Sequence, residues 1–309
     1  MESGLRWALV TAVAPVAWGA SYLVTQQWLP PEYPLWAAVI RALPGGLILL
    51  AVARRLPSGP WWWRSLVLGT LNIGAFFVLV YVAAQLLPSS IAATLMALSP
   101  VVMLLLAWPM LHTRPRALPL AGAALGFVGV CAMLLTGGGD ASLPGVAASV
   151  GAMTMSSVGF ILSKRWAGGA PVLPLTAWQL VAGGLVIVPV AALVEGAPPV
   201  LSGTELVAFG YLTLVSTALA YLCWFTGLKH LDAGAVGLVG LLNPVTGVVL
   251  GLAVASETLT LLQGAGIGLV LLGIVLGQPV VARAAERRRC RRQGLGDDAA
   301  EITLRVGTR

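Results

Sequence analysis

An all-α, polytopic membrane fold is what this sequence predicts: ten transmembrane helices in two inverted five-helix repeats around a central cavity. Three observations lead there. Of 309 residues 58% are hydrophobic and only 9% charged, with a mean hydropathy of +0.92, whereas soluble domains carry roughly 25% charge. Apolar runs of the roughly 20 residues needed to cross hydrocarbon about 30 Å thick follow one another up to about Val281. The basic residues between those runs sort by side, as they do in membrane proteins.

Taken in order, the spans fall near 7–29, 34–53, 64–86, 90–111, 117–136, 144–164, 173–194, 206–228, 233–254 and 260–281. Short links separate them, many marked by Pro and Gly, as at Pro30-Pro31, Pro57 to Pro60, Gly137 to Gly139 and Pro198-Pro199. Backbone polar groups need partners inside lipid, so runs this long and this rich in Leu, Ala and Gly are helices. The first run passes Leu23 with no A-x-A-like site, so it reads as a retained span and not a cleaved signal. Cys131 and Cys223 lie in apolar runs and Cys290 in an arginine cluster, a spacing that fits neither a disulfide framework nor zinc.

With alternating sides, seventeen of the eighteen basic residues share one side, and the other carries Glu32, Asp140, Glu195, Glu205 and Glu257 with no Lys or Arg. That distribution predicts an integral protein of the cytoplasmic (inner) membrane with both termini cytoplasmic. The net charge of +7 therefore reflects topology, and no nucleic-acid partner is expected. Residues 282–309 read as a disordered basic tail, a topology anchor attracted to anionic membrane lipid or else a partner or nucleic-acid site.

Residues 1–140 and 141–281 read as the two repeats. An offset of 138 lays Gly45-Gly46 on Gly183-Gly184 and Arg41 on Gln179; an offset of 144 lays Pro100 on Pro244, Gly122 on Gly266 and Gly129 on Gly273. Five crossings per unit is an odd number, so the copies lie upside down relative to each other. Inverted repeats are a transporter architecture, with the site near the midplane between them.

At several points the sequence resembles the EamA-type, ten-helix branch of the drug/metabolite transporter superfamily. The matching pieces are Trp18-Gly19, Arg41 in a Pro-led second span, PSSIAATLMALSP at 88–100, LDAGAVGLVGLLNP at 231–244 and SETLTLLQGAGIGLVLLGIVL at 256–276. The resemblance implies a ten-helix basket around a central cavity and export of small metabolites, amino acids among them. Ser156-Ser157 stands where the first repeat has Trp18-Gly19, so the two cavity walls differ chemically.

Candidate substrate-binding residues come from helix faces. In span 1 one face carries Thr11, Pro15, Trp18, Tyr22 and Thr25; its image in span 6 carries Ser149, Met153, Ser156, Phe160 and Ser163. Polar stripes turned to lipid are costly, so both should face the bundle, lining a cavity or packing helices. Phe77 and Tyr81 fall on Tyr221 and Phe225, with Trp224 beside them, which gives aromatic cavity walls or core packing; Tyr81 also suits the outer interfacial belt. Arg41, about seven residues or roughly 10 Å into span 2, either meets an anion in the pathway or reaches outward to Glu32; Gln179 keeps its hydrogen bonding without the charge. Ser99 and Asn243 precede midspan prolines, where a kink frees the carbonyls of Met96 and Gly240 for these side chains or for water, or simply shapes the bundle. Glycines 122 and 126, and 247 and 251, have the spacing for close helix contact.

The sequence has no G-x-x-x-x-G-K-[ST] loop and no Asp, Glu or His deep in a span. ATP drive, a cofactor and a metal are not expected. An enzyme needs a nucleophile with a base or paired carboxylates, and none stands in reach. The expected function is secondary transport of a small-molecule substrate, either as facilitated movement down a gradient or coupled through a carboxylate at a helix end, Glu257. A lipid or lipid-linked sugar flippase is the alternative.

Overall fold

The computed structural model describes residues 2–29, 32–87, 95–113, 117–134, 142–255, 260–278 and 281. Among them the secondary structure is helical, in ten segments. They are α1 (Glu2–Trp28), α2 (Pro34–Ala53), α3 (Trp61–Gly69, Thr70–Gly74 and Ala75–Leu86), α4 (Ser99–Leu111) and α5 (Ala117–Leu134). The second set is α6 (Leu143–Ala167), α7 (Val172–Val194), α8 (Gly203–Thr213, Leu214–Leu219 and Ala220–His230), α9 (Ala233–Val239 and Leu242–Ala255) and α10 (Leu261–Leu276).

Six of these, α1 to α3 and α6 to α8, are long and apolar enough to cross a membrane, and the other four are shorter apolar helices. The molecule is a polytopic membrane protein. Helix starts follow local chemistry: Ser202 with Glu205 and Thr260 with Gln263 form capping boxes, and Ser142 accepts from Gly145 N ahead of α6. Residues 88–94, Glu257 and the tail 282–309, all singled out in the sequence, lie outside the described residues.

The two prolines act differently from the kink expected of them. α9 is broken outright at Gly240-Leu241, and Asn243 N donates to Gly240 O at 3.0 Å. Pro244 thus falls in the first turn of the second piece, where a missing N–H costs no helical bond. Pro100 likewise sits at the start of α4, after a turn in which Leu98 N donates to Leu95 O. The carbonyl of Gly240 is satisfied by backbone, not by the Asn243 side chain.

Packing follows a regular scheme. α2 lies on α7, α5 on α10 and α4 on α9; α1 meets α8 and α9, while α6 meets α3 and α4; α7 meets α3, while α2 meets α8. Adding five to the first-half labels, and subtracting five from the others, returns the same set. Residue contacts repeat this. A Cβ on Gly46 would stand 2.7 Å from Val181 N, and one on Gly184 would stand 3.0 Å from the Cβ of Leu43; the 138 offset exchanges the two contacts. A Cβ on Gly122 would stand 2.5 Å from Gly273 O and one on Gly129 2.6 Å from Gly266 O, exchanged by 144. Without side chains here, the backbones approach closely enough for dispersion to hold α2 to α7 and α5 to α10. Gly247, expected in such a contact, has nothing within 4 Å.

Candidate functional site

Two π-helical turns organise the interior, Thr70–Gly74 in α3 and Leu214–Leu219 in α8, and the 144 offset superposes their starts. A π-turn inserts one residue into the ladder and displaces carbonyls from their usual partners. At two equivalent positions in these turns the carbonyl accepts from an aromatic donor. Tyr221 Oη donates to the carbonyl of Asn72 at 3.2 Å, and Trp18 Nε1 donates to the carbonyl of Ser216 at 2.9 Å.

A polar knot surrounds each turn. Asn72, fully buried, donates from Nδ2 to Gln179 Oε1 at 2.7 Å and to Ser163 Oγ at 3.3 Å, while Ser163 Oγ donates to Gln179 Oε1 at 3.2 Å. Gly159 makes room for the amide, since a Cβ there would stand 2.8 Å from Asn72 Cγ. In the other half Ser21 Oγ donates to Ser216 Oγ at 2.7 Å, and Ser216 Oγ to Ala17 O at 3.0 Å. Arg41 Nε donates to Thr217 Oγ1 at 3.1 Å, and its guanidinium lies 5.0 Å from the centroid of Phe77. Turned this way, the Arg41 fork belongs to the interior, in keeping with the planar, stacking character of guanidinium.

Between the knots the rings touch one another. Trp18 lies 5.3 Å from Tyr221 and 5.2 Å from Trp224; Phe160 lies 5.3 Å from Trp224 and 6.0 Å from Phe225. These are tilted or edge-on contacts, the arrangement ring quadrupoles favour. The aromatic faces therefore fill the middle of the bundle. Trp224 Nε1 is buried there without a hydrogen-bond partner.

Open space lies to one side of this plug. A cavity of about 340 Å³ is lined by Ser163, Lys164, Arg165, Gln179, Phe225 and Lys229, with smaller and apolar neighbours. It lies toward the basic end, and two members of the Asn72 knot, Ser163 and Gln179, line it. Lys164 spans the rim: Nζ donates to Leu228 O at 2.5 Å and also to Leu231 O, so the ammonium occupies the carbonyl end of α8. At the opposite, acidic end Glu195 fastens α7 to α2, accepting from Leu35 N at 2.7 Å and Trp36 N at 2.9 Å.

The residues expected from sequence separate into groups. Trp18, Tyr221, Trp224, Arg41, Phe77 and Gln179 come together around the plug and knots. Tyr81 is half-buried against the main core. Ser156 is buried, but its hydroxyl donates to Met153 O at 3.0 Å within its own helix, so it packs. Asn243 presents its carbonyl to α1, 2.6 Å from where a Cβ of Gly19 would lie. Ser99 is half-buried at the start of α4. Tyr22 lies on α1, its side chain outside the description; Thr25, at the end of the same stripe, is exposed. Sequence reasoning missed Asn72, Ser216, Thr217, Ser21 and Lys164. Asn72 carried a usable signal, being one of only two asparagines in the chain and equivalent to Ser216.

The model of the EamA-like transporter family matches residues 5–135 and again 143–277. The chain belongs to that family. Among its relatives is Protein PecM of Dickeya dadantii (strain 3937), 35% identical over 269 residues, covering 86% of this chain and 90% of that one. A probable amino-acid metabolite efflux pump of Salmonella typhimurium is 26% identical over 280 residues, covering 84% and 91%. The uncharacterized inner membrane transporter YedA of Escherichia coli (strain K12) is 27% identical over 274, covering 84% and 87%. A solved crystal structure, 22% identical, superposes with a TM-score of 0.77 over 90% of this chain and 98% of that one, which shows a shared fold. As an EamA-family member the protein is assigned to a class of transporters, and no catalytic family is indicated.

Proposed function

We propose that this EamA-family protein is a secondary transporter of the inner membrane that exports small metabolites, amino acids or amphipathic compounds, by alternating access between two inverted five-helix repeats. The observation that carries the reading is the cavity at the basic end: Ser163 and Gln179 of the polar knot line it together with Lys164, Arg165 and Lys229, while at the acidic end Glu195 holds α7 to the start of α2. The basic end is cytoplasmic by the positive-inside rule. Support for the inverted repeat comes from the packing scheme, from contacts exchanged by the two offsets, and from a family match that falls once on each half.

In this reading the two repeats rock about the midplane. Loading occurs through the vestibule against Gln179 and Phe225. Rocking then closes the vestibule and opens the outer side, and the aromatic plug re-forms on the cytoplasmic side. The two polar knots stand at equivalent positions of the two repeats, so each state keeps one beside the closed side.

The test is counterflow in proteoliposomes across amino acids and related metabolites without ATP. Saturable exchange of at least one solute is expected; none across the panel contradicts the reading. Coupling is assigned to a rim carboxylate, Glu257. Flux that is abolished by collapsing the pH gradient yet survives Glu257→Gln contradicts that part.

One observation favours a flippase as the second reading. A groove of about 480 Å³ between α2, α3 and α7, lined by Leu50, Trp62, Ser65, Leu66, Val181 and Leu185, lies on the lipid-facing surface. Its walls are almost wholly apolar, so it seats an acyl chain and offers a headgroup little. Scrambling of a fluorescent phospholipid at a rate matching solute exchange would favour it.

A further inference from the structure

We infer that the cytoplasmic vestibule selects organic anions: a carboxylate held at the rim by Lys164, Arg165 and Lys229, with an apolar body lying against Phe225. This inference rests on the transport reading above and names the substrate class of that same cavity.

The first ground is convergence. Lys164 and Arg165 close α6 and Lys229 closes α8, so two helices that start apart in sequence deliver three cations to one cavity. Among the described residues no Asp or Glu lines it; Asp232, which acts on Lys164, stands outside the lining. Lys164 is held in place by the Leu228 and Leu231 carbonyls, so its charge is fixed at the rim. Such clefts focus the field and raise the local concentration of anions.

The second ground is a charge asymmetry between the repeats. The positive-inside rule accounts for its sign, with cations at this end and none at the outer images; the convergence of three of them on one cavity gives it a use. Under the offsets of 138 and 144, Lys164, Arg165 and Lys229 correspond to Gln26, Gln27 and Gln85. Three cations on one side are three uncharged amides on the other. Gln179 reverses the pattern, corresponding to Arg41. An anion leaving this charged rim thus meets a cation, Arg41, in the other half. A cationic solute meets repulsion at the first step.

The size fits a solute with one ring system: 340 Å³ stands at the lower end of the roughly 300–1,000 Å³ usual for small-molecule sites. Phe225 and Leu228 offer the apolar wall, and Ser163 and Gln179 offer hydrogen bonds below it.

The experiment compares equilibrium binding of radiolabelled indole-3-acetate and tryptamine, one ring with opposite charges, to the full-length protein in nanodiscs. Wild-type protein should bind the anion about tenfold more tightly, a modest ratio because the rim charges are partly solvated. Arg165→Gln with Lys229→Gln, the residues found in the other repeat, should bring the ratio near one. Arg54→Gln with Arg55→Gln removes the same charge from the same membrane face outside the cavity and should leave the ratio intact. Undetectable anion binding, equal binding of the two probes, a ratio that survives the vestibule substitutions, or an equal loss in both double variants would overturn the inference. Solute counterflow without anion preference would overturn it and leave the transport reading standing; anion preference without flux of any solute would do the reverse.

Discussion

Trp18 donates its indole N–H to the main-chain carbonyl of Ser216 at 2.9 Å, crossing from the first half of the chain into the π-turn of the second. The image of that carbonyl, Asn72 O, receives the hydroxyl of Tyr221. Each half thus has a π-turn carbonyl that accepts from an aromatic donor, and the two donors lie against each other at 5.3 Å.

Trp18→Phe keeps most of the ring and removes the donor. An unsatisfied buried carbonyl costs about 1–3 kcal/mol, so the variant should fold with a lowered thermal midpoint and lose more transport than a change in expression explains. Wild-type exchange rates in proteoliposomes containing Trp18→Phe would show that the bond is not needed.

Asn72→Leu should be severely destabilising, because it strips the donor that holds Gln179 Oε1 and Ser163 Oγ and leaves polar atoms buried. Asn72→Ser, which installs the residue found at the equivalent position 216, should be milder. Thermal unfolding in detergent ranks the two, and the opposite order would contradict the role of the amide.

Gly46→Ala places a methyl 2.7 Å from backbone Val181 N, whereas Gly210→Ala meets nothing within 4 Å. Overpacking costs about 1–3 kcal/mol, and Ala in an open helix gains up to about 1 kcal/mol over Gly. The first variant should lose thermal stability and the second gain slightly. Equal effects would argue against a tight α2–α7 contact.

Lys164→Met removes the cation that holds the Leu228 and Leu231 carbonyls. A helix C-terminus without that partner loses about 0.3–1 kcal/mol, more where partly buried, and α6 loses its tie to the α8–α9 junction. Hydrogen exchange at Leu231 and Val236, the amides that close this junction, should accelerate while amides around Glu195 stay unchanged.

The helical, polytopic character was legible in the sequence because lipid imposes a coarse grammar, in which long apolar runs must be helices. The glycine repeats were also legible, since Gly46 and Gly184 stand 138 apart and Gly122 and Gly266 stand 144 apart, although Gly247, expected in a close contact, makes none. The π-turns were not, because five residues at a wider period leave no trace in hydropathy. With the turns went the meaning of Asn72 and Ser216, single polar residues in apolar runs whose partners lie on other helices. Pro100 and Pro244 were located correctly and misjudged in effect, since periodicity marks where a helix is disturbed without saying whether it bends or restarts. Ser156 shows the converse: a polar stripe predicted its burial, and its own helix absorbed its hydroxyl.

Alternating access through the one-sided vestibule is the central claim, and sided labelling tests it most directly. With Cys131, Cys223 and Cys290 replaced by serine, Leu175→Cys places one thiol on the vestibule wall. A membrane-impermeant maleimide should label it from the cytoplasmic face, and a solute active in counterflow should slow that labelling at its half-saturating concentration. Labelling from the outer face alone, or a rate indifferent to every transported solute, would contradict the account.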